Sequence, residues 1–120
     1  MKLNIAVLTG DGISPEVTEQ AIEVFKAIAI EYYHSILFTS APVGAIAIDA
    51  TGNPLPDSTL ELCKTSDAVL FGTIGDPKYD HASNAQVRPE TWLMKLRKTF
   101  GLYANIRTVK AHYILFANSP

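Results

Sequence analysis

The stretch Leu3-Asn4-Ile5-Ala6-Val7-Leu8-Thr9-Gly10-Asp11-Gly12-Ile13-Ser14-Pro15-Glu16-Val17 changes its hydrophobic period once, at the glycines. Before them, residues 3–8 are an almost unbroken β-forming run, the pattern of a strand buried on both faces. After them, Ser14 is placed to cap a helix whose first residue is Pro15. Glu16 and Glu19 lie near its positive end, and Val17, Ala21, Val24, Phe25 and Ile28 recur at helical spacing. A buried strand that turns directly into an amphipathic helix is the first half of a βαβ unit, and this reading sets the fold class.

Working outward, residues 36–40 (Ile-Leu-Phe-Thr-Ser) supply the returning strand, and residues 44–50 read as a short small-residue helix or turn. The cluster Gly52-Asn53-Pro54-Leu55-Pro56 breaks the chain, and Asp57 or Ser58 caps a helix running through Cys63. Residues 68–72 (Ala-Val-Leu-Phe-Gly) form a third buried strand. Strands and helices alternating in this way predict an α/β fold with a doubly wound, mostly parallel sheet. A long polar loop over residues 72–88 comes next, and loops of that length within compact domains are commonly functional. Pro89-Glu90 opens a helix to about Phe100, Gly101 ends it, and residues 102–109 are expected to be a further strand. Four or five strands with three helices leave such a sheet incomplete. The expectation is an N-terminal fragment over residues 1–120 with no internal domain boundary.

Composition excludes several classes. The 120 residues are 48% hydrophobic, too apolar for a disordered tail, and 10 Lys+Arg against 12 Asp+Glu give none of the basic excess that nucleic-acid binding requires. No apolar run approaches the roughly 20 residues of a membrane span, and residues 1–4 run into the first strand without a signal peptide's apolar core. The single cysteine, Cys63, forms no internal disulfide. The expected compartment is the cytoplasm, with no nucleic-acid or membrane partner.

Chemistry has few carriers. The Gly10-Asp11-Gly12 turn directs backbone N–H groups toward a helix start, where an anion or cofactor could approach. It begins like a dinucleotide fingerprint, but Pro15 stands at the third glycine, so the same residues also read as a plain tight turn. The three arginines, Arg88, Arg97 and Arg107, all fall within one part of the chain, while the lysines are spread from Lys2 to Lys110. Guanidinium forks grip carboxylates through paired hydrogen bonds. A turn at Gly101 is expected to bring Arg97 and Arg107 toward one pocket suited to a dicarboxylate; ordinary solvated surface charges are the other reading. Leu93, Met94 and Leu96 on the same helix suit an apolar wall for a branched hydrocarbon group, or plain core. His34, His81, His112 and Cys63 show no metal-ligand spacing, and Asp76 and Asp80 suit loop solvation.

Six ordered blocks resemble the 3-isopropylmalate dehydrogenase family of β-decarboxylating dehydrogenases. They are Ile5-Ala6-Val7-Leu8-Thr9-Gly10-Asp11-Gly12-Ile13 with Pro15-Glu16-Val17; Ala47-Ile48-Asp49-Ala50 with Gly52 and Pro54; Asp67-Ala68-Val69-Leu70-Phe71-Gly72; Gly75-Asp76-Pro77-Lys78-Tyr79-Asp80; Val87-Arg88-Pro89-Glu90-Thr91; and Leu96-Arg97-Lys98 with Leu102-Tyr103-Ala104-Asn105-Ile106-Arg107.

The resemblance implies NAD-dependent oxidation and decarboxylation of 3-isopropylmalate in leucine biosynthesis, with bound Mg²⁺ or Mn²⁺. It implies Arg97 and Arg107 on the malate carboxylates and Leu93 with Met94 on the isopropyl group. It implies Ile13, Gly75, Asp76, Pro77, Lys78, Tyr79, Asp80, Val87, Arg88, Pro89 and Glu90 on the cofactor side, Glu90 between substrate and nicotinamide. The family's full-length enzymes form homodimers. Their catalytic tyrosine and lysine, metal aspartates and adenosine loop correspond to positions beyond residue 120, so the resemblance puts no catalytic residue and no metal ligand in this chain and implies that it is inactive alone.

Isocitrate-type relatives carry Ser and Asn where this chain has Thr91 and Leu93; Leu93 would desolvate a third carboxylate without compensation. Malate or tartrate dehydrogenases of the superfamily remain alternatives, as does a non-catalytic interaction module. Ser14, Trp92 and Thr108 depart from the family pattern, and the Trp92 ring is expected to crowd the wall beside Leu93.

Overall fold

The computed structural model describes residues 1–75 and 91–109. In chain order these form β1 (Lys2–Gly10), α1 (Ser14–Glu31), β2 (Ser35–Ala41), α2 (Ala45–Thr51), α3 (Asp57–Thr65), β3 (Ala68–Thr73) and α4 (Thr91–Thr99). The sheet is parallel with order β2-β1-β3, so the chain steps to one side of β1 through α1 and to the other side through α2 and α3. Right-handed crossovers in opposite directions put helices on opposite faces of the sheet.

Burial reflects that order. Central β1 is flanked on both edges, and Ile5, Ala6, Val7 and Leu8 are all buried, which is why its sequence lacks alternation. Ile5 lies in register with Phe38 and Ala68 on the face that α1 covers; Phe25 of α1 meets the Phe38 ring with centroids 6.2 Å apart. On the opposite face Ala6 and Leu8 pack with Val43, Leu55, Cys63 of α3, and Trp92 and Leu96 of α4.

Two helix starts and one strand depart from expectation. Ser14 is not the cap of α1. Ile13 occupies the cap position without a side-chain bond, and the buried Ser14 hydroxyl accepts a hydrogen bond from the Thr73 amide at 2.5 Å. Helix α1 lies so close to β3 there that a Cβ on Gly72 would collide with the Ser14 and Thr18 hydroxyls, so the serine oxygen reaches a strand donor more readily than its own helix. Helix α3 is capped by extended Pro56, leaving Asp57 in the first turn to act through its charge on the helix dipole. Helix α4 is first described at Thr91, so its expected opening at Pro89-Glu90 lies outside the described residues.

The expected strand over residues 102–109 is absent. Those residues are irregular and exposed throughout, with no strand partner among the described residues. Alternating apolar residues such as Leu102, Ala104 and Ile106 become a strand only when they pair with a sheet edge over a core, and they pair with neither the β2 nor the β3 edge. The expected polar loop and the segment 112–120 fall largely or wholly outside the described residues. The described chain thus provides three strands, and β2 and β3 are both edges.

Candidate functional site

In an open parallel sheet, ligands approach the carboxyl ends of the strands where the strand order reverses, which here is the end of β1 between β2 and β3. Three loops converge there: Asp11-Gly12-Ile13 after β1, Pro42-Val43-Gly44 after β2, and Ile74-Gly75 after β3. Their meeting point is the Asp11 carboxylate, 3% exposed. Its Oδ1 accepts from the Ala45 amide at 2.9 Å and the Ile46 amide at 3.4 Å, at the start of α2. Its Oδ2 faces the Gly75 amide at 3.5 Å, while the Asp11 amide donates to the Thr73 carbonyl at 3.1 Å. A buried carboxylate is tolerated only when such donors replace its water.

This constrains both neighbours. Gly44 has φ +70°, and a Cβ there would strike the Asp11 carboxylate, so the position requires glycine for backbone and for space. The turn also offers fewer N–H groups to a ligand than its sequence suggests. The Asp11 amide is engaged by Thr73 and the Ser14 amide by the Asp11 carbonyl at 3.0 Å.

Of the residues expected on the cofactor side, Ile13 and Gly75 are described, and the structure brings them to this same edge. Gly75 approaches Gly12, whose hypothetical Cβ would sit 3.7 Å from the Gly75 carbonyl, and Ile13 is 65% exposed beside them. A Cβ on Gly75 itself would meet open space. Asp76, Pro77, Lys78, Tyr79, Asp80, Val87, Arg88, Pro89 and Glu90 lie outside the described residues.

The expected substrate residues divide by helix face. On α4, Trp92 and Leu96 turn into the core, Trp92 edge-on to Phe71 with ring centroids 4.9 Å apart. The Trp92 ring therefore lies beneath the helix, and the expected crowding of the wall beside Leu93 is not seen. Leu93 is half-buried against the core, Met94 is 67% exposed, and Arg97, one turn beyond Leu93, is half-buried. Gly101 ends the helix as expected. With φ +61° it lets its amide donate to the Lys98 carbonyl and the Leu102 amide donate to the Arg97 carbonyl, a left-handed cap that fixes the last turn bearing Arg97. Arg107 lies in the exposed irregular segment beyond.

A cleft at the amino end of the sheet is lined by Cys63, Ser66, Asp67, Ala68, Val69, Phe100 and Leu102, far along β3 from the switch point. Burial pushes the Cys63 thiol above its ordinary range. Among the described residues no cluster of His, Cys, Asp or Glu suits a metal ion, and no helix is long and apolar enough to cross a membrane.

The roles of the Asp11 carboxylate and of Gly44 escape a reading of the sequence, which takes the first turn as a source of backbone donors. The available signal is an acid between two glycines after a fully buried strand, where a side chain without a partner would be costly.

Comparison with known proteins agrees with this geometry. The chain is 49% identical over 120 residues to a 3-isopropylmalate dehydrogenase of Heyndrickxia coagulans, covering 100% of this chain and 32% of that relative. It is 50% identical over 107 residues to the 3-isopropylmalate dehydrogenase of Nitratidesulfovibrio vulgaris, covering 89% and 30%. Among solved structures, a β-decarboxylating dehydrogenase from Thermococcus kodakarensis superposes with a TM-score of 0.64 at 33% identity, over 84% of this chain and 27% of that one. An isocitrate dehydrogenase from Methylococcus capsulatus gives 0.63 at 25%, over 84% and 26%. The chain spans about a third of the length of the curated relatives it matches. The sequence model for isocitrate/isopropylmalate dehydrogenase covers residues 4–120, and with the parallel βαβ frame and its switch-point edge this makes the chain a member of that family.

Proposed function

We propose that the chain is the amino-terminal part of an enzyme that oxidises and decarboxylates 3-isopropylmalate with NAD, in leucine biosynthesis. The observation that carries this is the α4 face on which half-buried Leu93 precedes half-buried Arg97 by one turn. An apolar side chain beside a guanidinium suits a hydrocarbon branch beside a carboxylate. It disfavours the third carboxylate of isocitrate, which Leu93 would strip of water without replacing its hydrogen bonds.

In this reading Arg97, aided by Arg107, grips the malate carboxylates, and Leu93 with Met94 meets the isopropyl group. NAD supplies the hydride acceptor. The carboxyl edge fits it in two respects: Ile13 offers exposed apolar surface, and Gly75 leaves room for close approach. The residues from Asp76 to Glu90 would continue that contact. Mg²⁺ or Mn²⁺ has no matching donor set among the described residues. A homodimer and a cytoplasmic location belong to the same proposal.

The test compares two assays of NAD reduction with 3-isopropylmalate. The 120-residue chain alone is expected to give no rate above background, and turnover by it would show that the essential groups are already present. In an enzyme carrying this chain whole, Arg97→Lys is expected to raise KM for 3-isopropylmalate and lower kcat/KM at least ~10-fold, because a point charge replaces a two-pronged grip. Unchanged kinetics would remove Arg97 from the site.

A further inference from the structure

We infer that Asp11 is a positioning residue for the cofactor-side edge: its carboxylate fixes the backbone at Gly75 relative to Ile13 by bridging the start of α2 and the end of β3. The role of this edge rests on the function proposed above. The bridge itself rests on geometry.

Asp11 is nearly inaccessible, and its two oxygens face amides from two different loops: Ala45 and Ile46 on Oδ1, Gly75 on Oδ2. Its own amide holds Thr73, two residues before Gly75. The second tie on β3, from the Thr73 amide to the Ser14 hydroxyl, runs to the first residue of α1, directly after the same turn. The end of β3 is thereby held by the residues around Ile13, which set the point from which the chain leaves the sheet at Gly75. Gly44 completes the arrangement, since any side chain there would displace the carboxylate. None of this places Asp11 against a ligand. It acts through Gly75.

Carboxylate chemistry makes the bridge testable by a change of one atom. Asp accepts on both oxygens, whereas the Asn amide nitrogen can only donate. In Asp11→Asn one side of the bridge therefore sets a donor against a backbone donor, at nearly constant volume.

Backbone amide exchange, measured on an enzyme carrying this chain whole, is the primary experiment. In the wild-type chain the Gly75 amide should exchange at least ~10-fold more slowly than an unstructured glycine, although it lies outside β3. In Asp11→Asn the amides of Gly75 and Ala45 should speed up at least ~10-fold, with those of β1 at Ala6 and Val7 unchanged. An unprotected Gly75 in the wild-type chain overturns the inference without any variant, which covers the case of a variant that does not fold. Uniform acceleration across the sheet also overturns it, because that describes general loss of stability.

In the whole enzyme, Asp11→Asn is expected to raise KM for NAD about 5-fold or more, with KM for the dicarboxylate changing less than about 2-fold. A purely structural role would lower Tm and leave that ratio alone, so equal shifts in both constants count against positioning. If the wild-type enzyme does not turn over 3-isopropylmalate, the functional reading fails, and the exchange data still decide the bridge.

Discussion

Trp92 shows how one residue's role turns on which side of a helix it occupies. Its indole is buried to 1% exposure against Phe71 and Leu96, and its Nε1 has no hydrogen-bond partner among the described residues. A large ring in a close-packed core contributes through area and edge-to-face contact, and a buried orphan donor subtracts from that. Trp92→Ala is expected to cost about 3–5 kcal/mol, enough to threaten folding of a chain this size. Trp92→Phe removes the orphan donor along with some volume, and its cost should fall well below that of the alanine variant. Urea unfolding of both measures the difference, and equal losses would mean that the orphaned N–H has no energetic consequence. Arg97 and Leu93, one step around the same helix, are less deeply committed to the core, which is why the proposed substrate contacts fall on them.

At the scale of elements, helices α4 and α1 end on the same cap built from different residues. Helix α4 closes on Gly101 in the left-handed region. Helix α1 closes on Tyr33 at φ 56°, with the His34 amide donating to the Ala29 carbonyl at 2.8 Å and the Tyr33 amide to the Ile30 carbonyl at 3.4 Å. Left-handed backbone costs a non-glycine residue roughly 1–2 kcal/mol, and the Tyr33 side chain is 94% exposed, so it recovers little by packing. Tyr33→Gly is therefore expected to stabilise the chain by about 1 kcal/mol, less the entropy glycine adds to the unfolded state. Thermal unfolding reads it as a Tm several degrees higher, and a lower Tm would show that the tyrosine ring makes a contribution the cap geometry does not account for. The same scale explains residues 102–109. Their apolar residues are a strand pattern without a partner, and a strand is defined by its neighbour as much as by its own side chains.

Over the whole molecule, a sheet buried on both sides ties ionisation to global stability. Cys63 lies within the core on one face, and desolvation raises its thiol pKa. The folded chain therefore holds this proton at pH values where the unfolded chain has released it. The stability it contributes is intact below the ordinary thiol range of about pH 8.5 and falls as pH rises above it. Denaturant titrations between about pH 7 and 10 should show that decline, with Cys63→Ala shallower in slope although less stable throughout. An identical slope in the variant would assign the pH dependence to other groups.

The first strand, the glycine turn and the helix after it are legible in the sequence because a buried central strand must be apolar throughout and a helix shows its own period, although Val17, Val24 and Ile28 of that period are exposed in the fold while Ser14, Thr18 and Ala29 are buried. Those constraints act within a few residues. They determined the α/β class, the three parallel strands near their observed bounds, the end of α4 at Gly101, and family membership through ordered blocks. What they could not determine were relations between residues distant in the chain: that Asp11 reaches Ala45 and Gly75, that Ser14 leaves its own helix for Thr73, that Trp92 faces inward while Leu93 and Arg97 are only half-buried, and that residues 102–109 find no sheet edge. Each of these depends on which partner occupies the adjacent space, and a hydrogen bond or a buried face exists only once tertiary packing has brought that partner there.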